Sequence, residues 1–280
     1  MSPAQDLVKK FGEIKTLPHV AIKLTKLMAN ENTTIKEFED VIKTDPTLVL
    51  RVLRVVNSPY FGLRQQVDSI SRALVFIGLK GLRKMVITEA LRDVFNGGEQ
   101  TPQFSRRSLW IHSVAVAICS QMISERIFGI QGENAYICGI LHDVGLIVED
   151  QVRHDLFREA CANLAPNSFL PELERQYLNT DHCMVGSLVA KEWKIPYEVQ
   201  AAIKRHHLEL ESVSPSSITG IIQMAEYLVS KLNYPVMAGI TPRLSAPLAA
   251  HIKENLQEYK AIAKDFPEQM KKAKEIYETG

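Results

Sequence analysis

TDPTLVLRVLRVVNSPYFG, residues 44–62 of this 280-residue chain, is the stretch on which the fold reading turns. Val49, Val52, Leu53 and Val56 recur at i, i+3, i+4 and i+7, the spacing that lines one face of a 3.6-residue helix. Asp45 stands where a side-chain oxygen can accept from the first orphan amides of that helix. Pro46 takes the first helical position, where a missing N–H costs nothing. Asn57-Ser58-Pro59-Tyr60-Phe61-Gly62 is rich in turn formers and stops it. Both ends of one helix are thus written in nineteen residues.

The same grammar extends outward. Upstream, Thr34-Ile35-Lys36-Glu37 reads as a capping box opening a helix to about Lys43. Before it, Pro18 to Met28 places Val20, Leu24 and Leu27 on one face, with Ala21 and Met28 beside them. Downstream, Ser69 caps a helix that turns Ile70, Ala73, Leu74 and Ile77 inward and stops at Gly78; another runs from about Leu79 to Phe95. Asn96-Gly97-Gly98-Glu99-Gln100-Thr101-Pro102 is the best candidate boundary. Beyond it the spacing predicts helices from about Ser108 to Phe128, from Glu133 into Leu141, and at 152–164, 170–179, 181–192, 196–207 and 216–232. Two terminal helices follow, punctuated by Pro242, Pro247 and Pro267. No segment shows the period of two that marks a strand. The expected fold is all-α, a multi-helical bundle with an N-terminal helical subdomain at 1–100, a second subdomain at 101–235 and C-terminal helices at 236–280.

Composition narrows the function classes. The chain is 46% hydrophobic and 23% charged, as globular proteins are. A net charge of +1 gives no reason to expect a nucleic acid or a membrane surface as partner. MSPAQDLVKKFGEIKTLP lacks the apolar segment of a signal peptide, and no apolar run is long enough to span a bilayer, so a cytoplasmic setting is expected. Cys119, Cys138, Cys161 and Cys183 form no CxxC pair and read as small buried hydrophobes. Lys271-Lys272-Ala273-Lys274-Glu275 reads as a solvated face. Arg51, Arg54, Arg64, Arg72, Lys80, Arg83 and Lys84 either frame an acidic partner surface or are solvated too.

Chemistry gathers around histidine. His112, His142-Asp143, His182, His206-His207 and Glu226 each fall on or at the end of a predicted helix, from which inward-facing ligands can converge. Imidazole and carboxylate together suit a divalent transition ion; iron or manganese is favoured, with nickel and zinc as alternatives. A carboxylate can bridge two ions, and Asp143 is the natural bridge. Taken singly, His112 also reads as a core residue, His206-His207 as a hydrated helix end, and His182 as a first-turn residue beside an N-cap Thr180 or Asp181.

The order H…HD…H…HH…carboxylate resembles that of the HD superfamily of metal-dependent phosphohydrolases. By that resemblance the core is HD-domain-like. His112, His142, Asp143 and Glu226 would hold one ion, and Asp143, His182 and His206 or His207 the second. Glu226 replaces the usual aspartate. The segment 44–62, with Ser69-Ile70-Ser71-Arg72-Ala73-Leu74 and Ile77-Gly78-Leu79 after it, is similar to the HDOD family, the HD-related output domains, over about residues 15–232. Asn57-Ser58 is there either a helix C-cap and turn or a ligand contact.

Two departures bear on catalysis. Cyclic-dinucleotide phosphodiesterases of the superfamily read HD-x-G-K, whereas this chain has His142-Asp143-Val144-Gly145-Leu146. After the histidine pair it reads Leu208-Glu209-Leu210-Glu211-Ser212-Val213-Ser214-Pro215, without the glycine-rich loop of that class. The resemblance therefore implies a metal-binding regulatory or signalling protein of a bacterial cytoplasm, acting through a protein partner or a phosphorylated small molecule. The alternatives are an active phosphohydrolase, with Asp143 and His142 catalytic, and a metal-free interaction module. No receiver, GGDEF or kinase-like segment is seen, so any input is expected in trans.

Overall fold

The computed structural model describes residues 1–14, 20, 23–24, 27, 33–58, 61–98, 101–165, 168–209, 211–237, 240 and 242–277. Most of Pro18–Met28, and Pro59, Tyr60, Glu99, Gln100 and Leu210, lie outside the described residues. Among those described, no strand occurs and the regular elements are helices. In chain order they are α1 (Pro3–Ile14), α2 (Ile35–Lys43), α3 (Pro46–Val56), α4 (Ile70–Arg92), α5 (Arg106–Arg126), α6 (Glu133–Leu141) and α7 (Val144–Val152). There follow α8 (His154–Ala162), α9 (Leu170–Leu178), α10 (His182–Glu192), α11 (Tyr197–Arg205), α12 (Ile218–Lys231), α13 (Ala246–Glu254) and α14 (Leu256–Tyr277). The all-α expectation holds. No helix among the described residues is long and apolar enough to cross a membrane.

The chain forms two compact units. One comprises Leu17–Asp93 and Phe266–Gly280. Its helices start as the sequence predicts: Thr34 and Glu37 close both halves of a capping box, and Asp45 Oδ1 accepts from the Leu48 amide at 3.0 Å. Ser69 caps α4, which breaks at Gly78, where φ is +70°. The core-facing side of α3 is Leu48, Val52, Val55 and Val56, rotated from the expected stripe; Val49 and Leu53 are only half-buried. PTLVLRVLRVV has eight apolar positions in eleven, Pro46 included, more than one face can bury, so more than one apolar stripe competes for the core. Packing against α2 and α4 chooses between them. Asn57 caps the C-terminus of α3 and gives both amide hydrogens and its carbonyl oxygen to the backbone. Nδ2 donates to the Leu53 and Val67 carbonyls at 2.9 and 2.7 Å, and Oδ1 accepts from the Val67 amide at 2.7 Å. The cap-and-turn reading of Asn57 is the one the structure realises.

The second unit comprises Met1–Thr16 and Val94–Asp265. Here α5 packs on α6 and α12, α10 on α7 and α11, and α8 on α7 and α9. α1 had no sequence expectation. It buries Ala4, Leu7, Val8 and Phe11 and packs on α7 and α10. Two boundaries differ from the reading above. α5 begins after Ser105, whose hydroxyl accepts from the Ser108 amide at 3.0 Å, so Ser108 lies inside the first turn. The helix expected at 152–164 is α8, starting at His154, and before it stands a helix with no sequence expectation, α7, separated from it at Arg153 with φ −137° and ψ 48°. Every residue from Val144 to Asp150 is buried, so α7 carries no polar face from which a helical period could be read. A buried ion pair, Arg106 Nε to Asp150 Oδ2 at 2.7 Å, ties α5 to α7.

Candidate metal centre

The seven residues singled out in the sequence all fall in this second unit, and the backbone explains why they can meet. His112 lies in α5, and Glu226 in α12. His142 ends α6 and Asp143 opens α7, a two-residue turn that sets consecutive side chains between two helices. Asp143 stands at an N-cap, yet its carboxylate makes no capping bond. At α10 the neighbouring Asp181 takes the capping role, accepting from the Met184 amide at 2.8 Å and leaving His182 free of it. His206 ends α11, and His207 follows. Two glycines allow the close approach. A Cβ on Gly139 would collide with the backbone of Ala117 in α5, and one on Gly145 with the carbonyl of His182. The motif glycine Gly145 is therefore what lets α7, with Asp143 at its start, lie against the start of α10.

The Nε2 atoms of four histidines surround the Asp143 carboxylate. Oδ2 lies 3.2 Å from His142 and 3.6 Å from His112; Oδ1 lies 3.4 Å from His182 and 3.4 Å from His206. His112 and His142 present their Nε2 atoms to each other at 3.3 Å, as do His182 and His206. His207 Nε2 lies 3.7 Å from Glu226 Oε1. Within the assembly, ligand atoms of Asp143, His182, His206 and His207 fall within 4.8 Å of one another, and so do those of His112, His142 and Glu226. All are buried except His207, which is partly exposed.

The opposite ring edges decide what these nitrogens are. Nδ1 of His112, His142 and His206 meets the carbonyl oxygens of Tyr234, Gly139 and Ile203 at 2.7, 2.8 and 2.6 Å. A carbonyl can only accept, so each Nδ1 carries the hydrogen and each neutral ring turns a lone pair inward. His182 is held likewise, by Glu174 Oε2 at 2.7 Å. Lone pairs therefore face lone pairs and a carboxylate whose two buried oxygens have no hydrogen-bond partner. Such an arrangement is repulsive unless a cation sits among the acceptors. The buried residues fit divalent metal. Without one, His182 and His206 hold protons more firmly while His112, His207 and Asp143 hold them less. Burial alone lowers the pKa of His182 and His206, but Cys183 and nearby carboxylates outweigh it and hold both well above the usual range. Burial, joined by the charge of His142, pushes His112 down to about 4. For Asp143 the cost of burial is outweighed by His142 and its neighbours, and its pKa falls well below normal.

Three participants carried no signal in the sequence. Glu174, on α9, grips His182 through both ring and backbone nitrogens, at 2.7 and 3.0 Å. Glu149 is fully buried beside it, and burial together with the Glu174 charge raises its pKa well above the usual carboxylate range. Cys183 Sγ lies 3.6 Å from His182 Nε2. Glutamates and cysteines at unremarkable helix positions look alike in sequence; only the packing of α7, α9 and α10 separates these from the rest. An i, i+8 pairing of Glu174 with His182 across a helix junction follows no helical period. Leu146, at the position where lysine was noted as missing, is completely buried.

Known proteins resemble the chain in both sequence and fold. The family model of the HDOD domain matches residues 14–209. An uncharacterized protein of Treponema pallidum (strain Nichols) is 24% identical over 207 residues, 73% of this chain and 39% of its own length, so the chain spans about two fifths of that curated relative. A crystal structure from Shewanella amazonensis SB2B, named as a candidate phosphohydrolase, is 25% identical, with a TM-score of 0.73 over 96% of both chains. One from Marinobacter aquaeolei VT8, named as a candidate signal transduction protein, superposes with a TM-score of 0.74 at 18% identity, over 92% of this chain and 59% of its own. The second shares the fold. With the family model covering most of the sequence, including the helix at 46–56 and the candidate ligands from His112 to His207, the chain belongs to the HDOD family.

Proposed function

We propose that this chain is a metal-binding regulatory module of a bacterial cytoplasm, in which a buried centre holds two divalent transition ions. The observation that carries this reading is the Asp143 carboxylate. Its oxygens are buried and unpartnered, and each faces two imidazole nitrogens from a different pair of helices. His112, His142, Glu226 and one Asp143 oxygen are the ligands of one ion. His182, His206, His207 and the other oxygen serve the second. Iron or manganese suits this nitrogen and oxygen set best, with nickel and zinc as alternatives. Glu226, one methylene longer than aspartate, has an Oε2 that is buried without a partner, which favours ligation.

Regulation is preferred over catalysis because six of the seven candidate ligands are buried and the residue after Gly145 is a buried leucine rather than a phosphate-binding cation. State passes to a protein partner, or in response to a phosphorylated small molecule. The second reading, a working phosphohydrolase, is favoured by the completeness of the ligand set. Two ions held about 3.5–4 Å apart can activate water and hold a phosphoryl oxygen. The name of the Shewanella protein points the same way for that protein.

Elemental analysis tests the centre directly. Purified protein is expected to carry iron or manganese approaching two ions per chain, and Asp143→Ala to lose most of both. A wild-type protein that takes up neither metal overturns the proposal and leaves the metal-free interaction module. Hydrolysis of phosphomonoesters or diesters by the loaded protein, abolished in Asp143→Ala, replaces the regulatory reading with the catalytic one.

A further inference from the structure

We infer that Cys183 takes the place given above to the partly exposed His207, completing with His182, His206 and Oδ1 of Asp143 a four-donor site that includes sulfur. This rests on the metal-binding reading above. Cys183 Sγ lies 3.6 Å from His182 Nε2 and 4.0 Å from His206 Nε2. A tetrahedral ion with metal–nitrogen bonds near 2.0–2.1 Å and metal–sulfur bonds near 2.3 Å separates its nitrogens by about 3.4 Å and sulfur from nitrogen by about 3.6 Å. The two nitrogens stand 3.3 Å apart, and Asp143 Oδ1 is 3.4 Å from each. Asp143 supplies the independent sign of a ligand: 1% exposed, with neither oxygen hydrogen-bonded, it is aimed at the same two nitrogens.

Packing alone gives a different environment for a cysteine. Cys138 is also completely buried, and its sulfur meets a backbone carbonyl, that of Val199, at 4.0 Å. Cys183 instead meets two ring nitrogens whose lone pairs point inward. Its sequence position explains the difference. It follows His182 in the first turn of α10, whose start is fixed by the Asp181 cap and by Glu174 on the His182 amide. The other half, His112, His142 and Glu226, offers nitrogen and oxygen only. The pair of sites is therefore asymmetric. The sulfur-bearing half favours zinc, cobalt or ferrous iron, and the other tolerates harder ions such as manganese.

Cobalt(II) reports sulfur ligation by absorption. The full chain is stripped of metal and reloaded with cobalt, and metal content and the near-ultraviolet sulfur-to-cobalt charge-transfer band are measured together. Wild type is expected to show the band. Cys183→Ser is expected to lose it while keeping cobalt in the His112 half, and Cys138→Ser to retain it. A wild-type protein that binds cobalt without the band overturns the inference and leaves the metal centre standing, whether or not Cys183→Ser folds. A band that survives in folded Cys183→Ser also overturns it. A wild type that takes up no cobalt, iron or manganese overturns both readings.

Discussion

The two units of this chain solve the same problem, covering helices, with opposite chemistry. In the unit around Leu17–Asp93 the core is mostly aliphatic and aromatic, with Phe38, Ile42, Leu48, Val52, Val56 and Ile70 buried; polar side chains cap the helix ends, and the buried Glu89 lies 3.9 Å from Arg92. In the unit around Val94–Asp265 the buried residues include His112, His142, Asp143, Glu149, Glu174, His182, His206 and Glu226. An aliphatic core is stable by itself, since each side chain removed from water contributes about 1.5–3 kcal/mol. A core of facing acceptors is not. The difference teaches where a ligand would act: the first unit pairs its buried charge within itself, and the second gathers acceptors that a cation would satisfy.

Removing metal is the strongest way to test this contrast. Chelation of loaded protein is expected to destabilise the histidine-rich unit by about 4 kcal/mol if the ion had been held at roughly a thousandfold excess over its Kd. Both tryptophans, Trp110 and Trp193, lie in that unit, so thermal unfolding followed by their fluorescence reports it selectively. Hydrogen exchange is expected to quicken in α5, α7 and α10 and to change little in α3. Equal quickening of α3 breaks the contrast.

The legible parts of each unit follow from the same difference. Caps at Thr34, Asp45 and Ser69 and the stop at Gly78 were readable because each is a local bargain between one side chain and its own backbone. The rotation of α3 was not, because its eight apolar positions in eleven offer more than one stripe, and the neighbours choose between them. In the histidine-rich unit the candidate ligands were readable as an order of rare residues along the chain. α7 is illegible because Val144–Asp150 is buried on every side, whereas α1 carries a readable period, with Ala4, Leu7, Val8 and Phe11 at i, i+3, i+4 and i+7. Glu174 and Cys183 were invisible for a different reason: what distinguishes them is distance to His182, which no spacing encodes.

Gly145→Ala sharpens the comparison with a single methyl group. The added Cβ meets the His182 carbonyl, which belongs to backbone and cannot swing aside. Overpacking of this kind costs about 1–3 kcal/mol. The prediction, however, is a specific one: α7 moves off α10, Asp143 Oδ1 leaves His182 and His206, and one ion is lost before the other. Metal analysis of the variant is expected to show a fall in stoichiometry larger than its change in unfolding temperature would suggest. Full metal content in Gly145→Ala contradicts the role given to this glycine.

Asn57→Ala makes the complementary test in the aliphatic unit, and the expected effect is the smallest. The side chain satisfies two carbonyls and one amide and joins the end of α3 to Val67. Asn57 is only half-buried, so water can replace part of what is lost, and the three bonds together are worth about 1–2 kcal/mol rather than their sum in a dry core. Because both amide hydrogens are given to carbonyls, none is left for an anion, and Oδ1 is already held by the Val67 amide. Asn57→Ala should therefore lower the stability of the α3 region in hydrogen exchange while leaving metal content and tryptophan-detected unfolding unchanged. A variant that keeps its α3 protection but loses metal reverses the assignment. It would make Asn57 part of the ion-dependent unit, and the division between an aliphatic core and an electrostatic one would no longer describe how this chain is held together.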